Sequence, residues 1–386
     1  MLMKNQLKQQ LLRALLVAFI LGNTLLILTG KLYFYKALVC NFANIDDNTI
    51  FDQRVIKKST QPQPWPLSTQ YNKTTFSKSL KTFHETEKSI AFVVLKNDSL
   101  VHEEYWSGYG DNSLSNSFSM AKSVTSILVG IAIKEGKIKS VEQPIGDFLE
   151  EFNQRDFKKI KIKHLLTMSS GLNWDESYMN PFSMTTEAYY GNDLWRLMLR
   201  LRVLHAPGKD FTYLSGDTQL LSFVLQKATG KTIGAYAQEK LWQPMGALNN
   251  AEWSLDKKNG TEKAFCCMYS NAKDFARIGV LYLHDGNWKG KQLVDSNYVK
   301  ASLTPAPLID SETGKPNDFY GFQWWLIPDY KGERIFYARG ILGQMIVVIP
   351  SKNIVFVRLG NQKPEKVGNH YKSTLDLVDA VLKEVM

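Results

Sequence analysis

The sequence predicts a mixed α/β protein of the α+β type: helices flank a central antiparallel β-sheet, a mainly helical region is inserted, and an N-terminal transmembrane helix precedes them. Runs rich in β-branched and aromatic residues lie at both ends of the globular part, and segments with helical periodicity fill the middle. Strands that follow each other through short turns pair antiparallel, so the simplest packing is one sheet built from both ends and covered by helices. A cleft is expected between this sheet and the helical region.

The N-terminal segment, residues 1–35, is predicted to be a membrane anchor or a signal segment. From Ala14 to Gly30 it carries no charge. At about 1.5 Å per residue this run reaches roughly 25 Å, against roughly 30 Å for a hydrocarbon core. The bulky aromatic residues that follow extend the run and offer no small-residue cleavage site, which favours an uncleaved anchor over a signal peptide. Basic residues are more frequent before the run than after it. This predicts a single-pass protein of the cell membrane with its catalytic domain on the outer (periplasmic or extracytoplasmic) side.

The rest of the chain divides by composition. The proline-rich stretch from 60 to 66 resists both helix and sheet, so residues 36–75 are predicted to be an extended linker. The folded domain is predicted over residues 76–386, with a mainly helical part at 119–310 and sheet parts at 76–118 and 315–386.

Local patterns predict the elements of that domain. Two apolar runs around the turn Asn97-Asp98 predict a hairpin at 90–95 and 100–106. Residues 119–135 carry apolar side chains at helical spacing, and Gly136 lies where a helix C-cap belongs. Further helices are predicted at 218–229, 271–282 and 371–385, and further strands at 322–327, 334–338, 345–349 and 354–359.

Charge and cysteine content limit the classes of function. The formal net charge is +10, but the basic residues are scattered and form no basic–aromatic cluster, so no nucleic-acid partner is expected. Cys266 and Cys267 are neighbours, between which a bridge would be strained, and Cys40 lies far away. The three cysteines therefore predict small buried side chains and no disulfide framework. No set of metal ligands occurs at a typical spacing, and we expect neither a metal nor a cofactor.

The pattern Ser-x-x-Lys occurs three times and is weak on its own. Ser254 is predicted to lie in a charged, glycine-containing loop with no ordered helix behind it, and Ser270 is better explained as the N-cap of the helix that follows. Only Ser119 begins a long apolar helix, and Lys122, three residues further on, lies on the same face of that helix. The helix N-terminus also favours developing negative charge and disfavours a protonated lysine.

A lysine beside a serine acts as a base only if its pKa is lowered. The unperturbed lysine pKa is about 10.4, and burial among apolar groups would lower it enough to accept the serine proton. Spacing alone also allows Ser119 merely to cap the helix while Lys122 points into water. Two further segments place polar groups where they could enter a cleft: Tyr213-Leu-Ser215 in a loop before a helix, and Ala338-Arg-Gly340 at a strand end.

Taken together, several motifs resemble a known family, the serine hydrolases related to class C β-lactamases and DD-peptidases. The resemblance covers most of residues 76–386. In chain order the motifs are Phe118–Ser123, His164–Leu172, Pro207-Gly208 with Tyr213-Leu-Ser215, Ala272–Arg277 and Gly321–Trp325. The Tyr-x-Ser and Gln-Trp-Trp motifs and the loop Trp174–Pro181 are most similar to the esterase-like 6-aminohexanoate-dimer (nylon-oligomer) hydrolase branch.

The resemblance implies a β-lactamase/transpeptidase-like fold and a serine hydrolase that acts on a small ester, amide or short peptide-like substrate. Ser119 would be acylated, and Lys122 and Tyr213 would move its proton. The backbone N–H groups of Ser119 and Ile341 would form an oxyanion hole, and water would release the acyl group. The resemblance also implies a set of substrate-binding residues: Gly340, Ser215, Arg339, Tyr178 and Trp174.

Three departures from the family pattern leave the substrate open. Class C β-lactamases carry Asn at the position of Ser215, which argues against specialised β-lactam hydrolysis. The third motif, usually Lys-Thr-Gly, has Arg339 at its centre, and a bidentate contact from Arg339 could replace the missing donor. The nylon-oligomer branch often has His at the position of Leu342. A DD-peptidase, a β-lactamase and a catalytically inactive relative that binds the cell wall are the alternative hypotheses.

Overall fold

The computed structural model describes residues 2–385. Its helices are α1 (Leu2–Leu28), α2 (Tyr33–Cys40), α3 (Lys78–Thr86), α4 (Met120–Lys134), α5 (Ile162–Leu166), α6 (Met184–Tyr190), α7 (Leu194–Met198), α8 (Ser215–Thr229), α9 (Ile233–Ala237), α10 (Ala272–Leu283), α11 (Ser296–Ser302) and α12 (Lys372–Glu384). Its strands are β1 (Gln53–Ile56), β2 (Ser89–Lys96), β3 (Ser99–Tyr105), β4 (Ser115–Asn116), β5 (Asp210–Phe211), β6 (Ala251–Ser254), β7 (Met268–Ser270), β8 (Asn287–Trp288), β9 (Lys291–Gln292), β10 (Ile309–Asp310), β11 (Trp325–Tyr330), β12 (Glu333–Gly340), β13 (Gln344–Ile349), β14 (Ile354–Gly360), β15 (Lys366–Val367) and β16 (His370–Tyr371).

The main sheet has six antiparallel strands in the order β11-β12-β13-β14-β2-β3. Strands from the C-terminal part pair with the β2–β3 hairpin through β14, which confirms the predicted sheet built from both ends. The central strands are apolar on both faces. Along β14, Val355 and Val357 belong to one core cluster, whereas Ile354 and Phe356 belong to the other. This alternation is the period of two that an extended strand imposes.

Helices cover both faces of this sheet. Helix α10 packs against β13 and β14 on one face, next to α4. Leu377, Val378 and Val381 of α12 join the core cluster on the other face. The sheet is therefore the middle layer of a three-layer arrangement, as the fold class predicts.

A second, smaller sheet joins strands from before and within the inserted region and positions the start of α4. It has four antiparallel strands in the order β1-β6-β7-β4. Strand β4 pairs through Ser115 with Ser270 of β7, and the chain passes from β4 directly into α4. The first residue before that helix is Ser119, so the end of β4 fixes where Ser119 lies.

Residues 36–75 differ from the predicted linker, because they pack against the domain. Strand β1 pairs with β6 in the smaller sheet, and Ile45 and Ile56 are buried in the main core. Trp65 is also buried, and its Nε1 donates to the Lys273 carbonyl at 3.0 Å. Prolines forbid regular structure in this stretch, but they do not prevent an extended chain from lying on a surface and burying its apolar side chains.

Cys266 and Cys267 are joined by a disulfide, so the expectation that they remain unbridged is wrong. Both residues are buried, as predicted. The chain bends sharply between the small strands, with Cys267 at a φ of +68°. In an extended backbone the side chains of neighbouring residues point to opposite sides, and this bend brings the two cysteine side chains together.

Helix α1 is almost wholly exposed, and near its end Asn23 Oδ1 accepts from the Tyr35 hydroxyl of α2. Between Lys4 and Leu28 it contains an 18-residue window with a mean hydropathy of 2.3, and none of that window is buried. By length and composition it is able to cross a membrane as a span, and a signal sequence would have the same properties.

Candidate active site at the start of helix α4

Ser119 lies at the N-terminal end of α4 and is accessible from outside. From residue 115 to residue 132 every side chain is buried except that of Ser119, which is partly exposed. The preceding Phe118 has a φ of +43°, a conformation that costs free energy for a residue with a side chain. The Ser119 hydroxyl makes no capping hydrogen bond. The structure therefore does not use Ser119 as a simple helix cap, which was the alternative that its spacing left open.

Lys122 points inward toward Ser119. Its side chain is only 1% exposed. Its Nζ donates to Ser119 Oγ at 3.0 Å and to the Phe265 carbonyl at 2.8 Å. Burial lowers the pKa of Lys122 from 10.5 to about 8, against the opposing influence of the Glu176 charge. A neutral amine next to a serine hydroxyl is thus accessible near neutral pH.

Tyr213 completes the group around Ser119. Its ring centroid lies 5.0 Å from Lys122 Nζ, and its phenol lies close to the Ser119 side chain. Burial raises the pKa of Tyr213 well above its ordinary value, and the negative charge of Glu176 adds to this rise. The phenol is therefore protonated at neutral pH. The structure thus brings together Ser119, Lys122 and Tyr213, the three residues predicted to be catalytic. Of the last two, Lys122 loses its proton more readily than Tyr213.

Ser215 is held by a carboxylate that the sequence analysis did not identify. The Glu176 carboxylate accepts from the Ser215 amide and from Ser215 Oγ, both at 2.7 Å. The same carboxylate accepts from the Tyr178 hydroxyl at 2.7 Å. Glu176 therefore links the Trp174–Pro181 loop to the first turn of α8, where a negative charge is favourable. Glu176 lies in the Trp174–Pro181 loop, but the sequence of that loop does not indicate a contact with Ser215, which is 39 positions further along the chain.

Gly340, at the end of β12, touches the backbone that leads into Ser119. A Cβ on Gly340 would lie 2.3 Å from the Ser117 carbonyl oxygen and 2.9 Å from Phe118 Cβ. Only glycine permits this close approach. It places Ile341, the first residue after β12, next to the start of α4. Among the described residues, the amides of Ser119 and Ile341 have no acceptor in a turn, loop or cap.

The change Gly340→Ala is expected to displace β12 from the start of α4. We expect the free energy of unfolding to fall by about 1–3 kcal/mol, because the new methyl group meets backbone atoms. Any activity that depends on the spacing of Ser119 and Ile341 should fall with it. Gly110→Ala is the matched control, since a Cβ at Gly110 meets nothing within 4 Å. Thermal unfolding of both variants checks this prediction, and equal stability of the two would contradict it.

Arg339 is buried near Tyr213 and is held between aromatic rings. Its guanidinium carbon lies 3.3 Å from the Trp325 ring centroid and 4.4 Å from that of Tyr371. Its Nη1 donates to the Asn369 carbonyl at 2.7 Å. Its charge lowers the pKa of Tyr213, against the larger effects that raise it. An arginine fixed by stacking keeps the geometry of its remaining N–H donors.

Trp174 and Tyr189 lie inside the protein. The Trp174 indole N–H donates to Thr185 Oγ1 at 2.9 Å, and its ring packs so closely on Gly216 that a Cβ there would lie 2.5 Å from it. Tyr189 donates to the buried Asp47 carboxylate at 2.6 Å. These contacts give both side chains a packing function.

The two rival Ser-x-x-Lys sites have a different geometry. Ser254 lies on strand β6 and not in a loop, and Ser254 Oγ accepts from Gln53 Nε2 at 2.9 Å. Ser270 ends strand β7, and the N-cap of α10 is the next residue, Asn271, whose side chain accepts from the Asp274 amide. The predicted cap was therefore placed one residue too early. Both serines are buried, whereas Ser119 is not.

Solved structures share this architecture. A Bacillus anthracis protein, named as a candidate 6-aminohexanoate-dimer hydrolase, is 22% identical, with a TM-score of 0.77 over 89% of this chain and 94% of that one. An octameric penicillin-binding protein homologue from Pyrococcus abyssi is 18% identical, with a TM-score of 0.59 over 79% and 75%. EstCE1, a hydrolase with promiscuous acyltransferase activity, is 17% identical, with a TM-score of 0.62 over 79% and 98%. At these identities the likeness concerns the fold.

Sequence comparison points to the same group of proteins. The 6-aminohexanoate-dimer hydrolase of Paenarthrobacter ureafaciens is 25% identical over 287 residues, which are 70% of this chain and 72% of that protein. The family model named Beta-lactamase matches residues 78–380. This match includes the start of α4, the Tyr213 loop and the end of β12. The chain therefore belongs to the beta-lactamase family of serine hydrolases.

Proposed function

We propose that this protein forms an acyl-enzyme at Ser119 and hydrolyses a small ester, amide or short peptide-like substrate. The observation that carries the proposal is the buried Lys122 amine, 3.0 Å from Ser119 Oγ. Burying a lysine is costly unless it is neutral or well paired. Its second contact is a carbonyl, from Phe265. These surroundings favour an amine that accepts the Ser119 proton.

In the first half of the proposed reaction, Ser119 Oγ attacks the substrate carbonyl carbon while Lys122 takes the hydroxyl proton. The negative charge on the carbonyl oxygen is stabilised by the amide N–H groups of Ser119 and Ile341. As the bond to the leaving group breaks, that group receives the proton. Tyr213, a neutral phenol close to Ser119, relays the proton from Lys122 to it.

The second half of the reaction repeats these steps with water as the nucleophile. Water attacks the acyl carbon, and its proton passes to Lys122. The bond to Ser119 Oγ then breaks, and the serine recovers its proton as the acid product leaves. Lys122 and Tyr213 thus end in their starting protonation states, and the proton taken from water balances the proton returned to Ser119.

Substrate contacts are proposed at two places beside Ser119. The N–H donors of Arg339 other than the one on the Asn369 carbonyl suit a carboxylate or another anionic group. Tyr178, half-exposed, lies on the rim with its hydroxyl on Glu176. The names of the dimer hydrolase and of EstCE1 support hydrolysis of acyl compounds, and the nature of the acyl group is left to the experiment.

The rate is expected to depend on pH through Lys122. The neutral amine is the active form and its pKa is about 8. The value of kcat/KM should therefore rise about tenfold per pH unit below this pKa and become constant above it. Lys263→Met is the control, because Lys263 is a second buried lysine, with a pKa lowered to about 7 by burial. An inflection that disappears in Lys263→Met, or a flat profile across this range, would show that Lys122 is not the base.

A substrate panel tests the proposal as a whole. The purified full-length protein is assayed with p-nitrophenyl butyrate, a small anilide, nitrocefin and a D-Ala-D-Ala peptide. Turnover of the ester or the anilide that exceeds turnover of nitrocefin supports the proposal. Efficient nitrocefin hydrolysis indicates a β-lactamase, and cleavage of the peptide with a long-lived penicilloyl adduct indicates a DD-peptidase. Absence of turnover on every substrate, in a folded protein, supports an inactive binding relative.

We also propose that α1 anchors the chain in the cell membrane, with the catalytic domain on the outer side. The length of α1 and its mean hydropathy support a span. The basic residues that precede its apolar run support an N-terminus inside.

A further inference from the structure

The connection between α1 and the folded body is very short. Helix α1 ends at Leu28 and α2 begins at Tyr33, and the Lys31 amide still donates to the carbonyl of Leu26. The intervening residues 29–32, even fully extended, reach no more than about 14 Å. If α1 spans a membrane, the face of the domain that carries α2 must lie at the surface of that membrane.

Helix α2 has two apolar faces, and only one is covered by the protein. Tyr33 and Ala37 are buried, and α2 packs on α6. The opposite side exposes Leu38 and Val39, with 59% and 86% of their surface accessible. Tyr35, one turn before Leu38 and Val39, continues this exposed side of the helix, and Phe42 is exposed just after the helix ends at Cys40. An uncovered stripe of this kind, directly after a membrane span, is typical of a helix that lies in the interface.

The exposed stripe continues onto the loop beside the candidate active site. The Phe34 ring stacks on the Phe182 ring, with centroids 5.0 Å apart. Lys31 Nζ lies 5.4 Å from the Phe182 ring centroid, where its ammonium can reach lipid phosphates. Met179 lies in the Trp174–Pro181 loop, which leads to Phe182, and is 73% exposed. This loop is the one in which Glu176 holds Ser215.

We propose that the surface formed by Tyr35, Leu38, Val39, Phe42, Met179 and Phe182 docks onto the lipid bilayer. The rim of the cleft then lies at the bilayer surface, and the domain is held in one orientation instead of swinging on a tether. The inference rests on the proposed membrane anchor and is independent of the proposed chemistry. The continuity with α1 selects the bilayer as the occupant, in preference to a second copy of the chain.

Depth measurements on the full-length protein test this surface. In a Cys40→Ser background, a nitrobenzoxadiazole fluorophore is attached to Val39→Cys, to Met179→Cys or to Leu67→Cys. Leu67 is a matched control, because it is 62% exposed and bridges strand β3 of the main sheet. Each protein is reconstituted into phosphatidylcholine–phosphatidylglycerol vesicles and washed with alkaline carbonate. Release by the wash would show that α1 is not an anchor, separately from the question of docking.

For protein that resists the wash, the fluorophores at 39 and 179 should emit at shorter wavelength than that at 67. They should also be quenched several-fold more strongly by lipids with a nitroxide on the acyl chain. Emission and quenching at 39 and 179 equal to those at 67 would overturn the proposal. A shift to shorter wavelength without lipid quenching would also overturn it, because a second copy of the chain would then cover the surface. No arm depends on turnover, so the outcome does not depend on whether the protein is a hydrolase.

Discussion

Ser119→Ala is expected to lower kcat on the best ester substrate by about 10⁴-fold or more, because the nucleophile of an acyl-enzyme mechanism is removed. The fold should be unaffected. Ser119 is partly exposed, and its side chain provides no helix cap. Initial rates at saturating substrate, with thermal unfolding in parallel, measure both effects.

Ser254→Ala and Ser270→Ala are the matched controls for this change. Each removes one hydroxyl from a Ser-x-x-Lys pattern, but on buried strands of the smaller sheet. They should keep most of the turnover, even where the loss of a buried hydrogen bond lowers stability. A Ser119→Ala variant that retains a substantial fraction of wild-type kcat, or a control that loses it in the folded state, would contradict the assignment.

Lys122→Met is expected to lower kcat by about 10²–10⁴-fold, the contribution typical of a positioned general base. The free energy of unfolding should stay the same or rise, since a buried amine with a carbonyl and a hydroxyl as partners is costly to desolvate. A purely structural role predicts the opposite pair of results, with stability lost and the activity of the folded fraction retained.

Lys257→Met and Lys273→Met are the matched controls, because each removes the lysine of one of the other two Ser-x-x-Lys patterns. Lys257 is largely exposed and Lys273 pairs with Glu103 and Asp111, so neither should affect kcat strongly. The pH profile adds a second readout. In Lys122→Met the residual rate should lose the inflection near the lysine pKa, and an inflection that persists would assign it to another group.

The architecture was largely predictable because its main elements carry strong periodic signals. Strand β14 begins with four apolar residues, 354–357, all of them buried, and α4 carries its apolar stripe over the whole length of the helix. The smaller sheet was not predicted, since β4 and β7 are very short and are stabilised by their pairing more than by their composition. For the same reason the packing of residues 36–75 was missed: its pairing partner, β6, lies about 200 positions away along the chain.

The site was predictable only where its members are close in sequence. Ser119 and Lys122 share one helix face, so their spacing indicates their contact. The Phe265 carbonyl, which fixes Lys122, lies 143 positions away. Tyr213 was selected through family resemblance, and its position near Ser119 depends on the tertiary fold. Glu176 was missed because the sequence of a polar loop does not indicate which distant N–H group its carboxylate will bind.

The central claim is that Ser119 is the residue that becomes acylated. Its most direct test is labelling of the full-length protein with a fluorophosphonate probe, followed by mass spectrometry of its peptides. We expect one modification, on the peptide that contains Ser119, at a rate that falls strongly in Lys122→Met. No labelling of the folded protein, or labelling of a different serine such as Ser254 or Ser270, would contradict the claim.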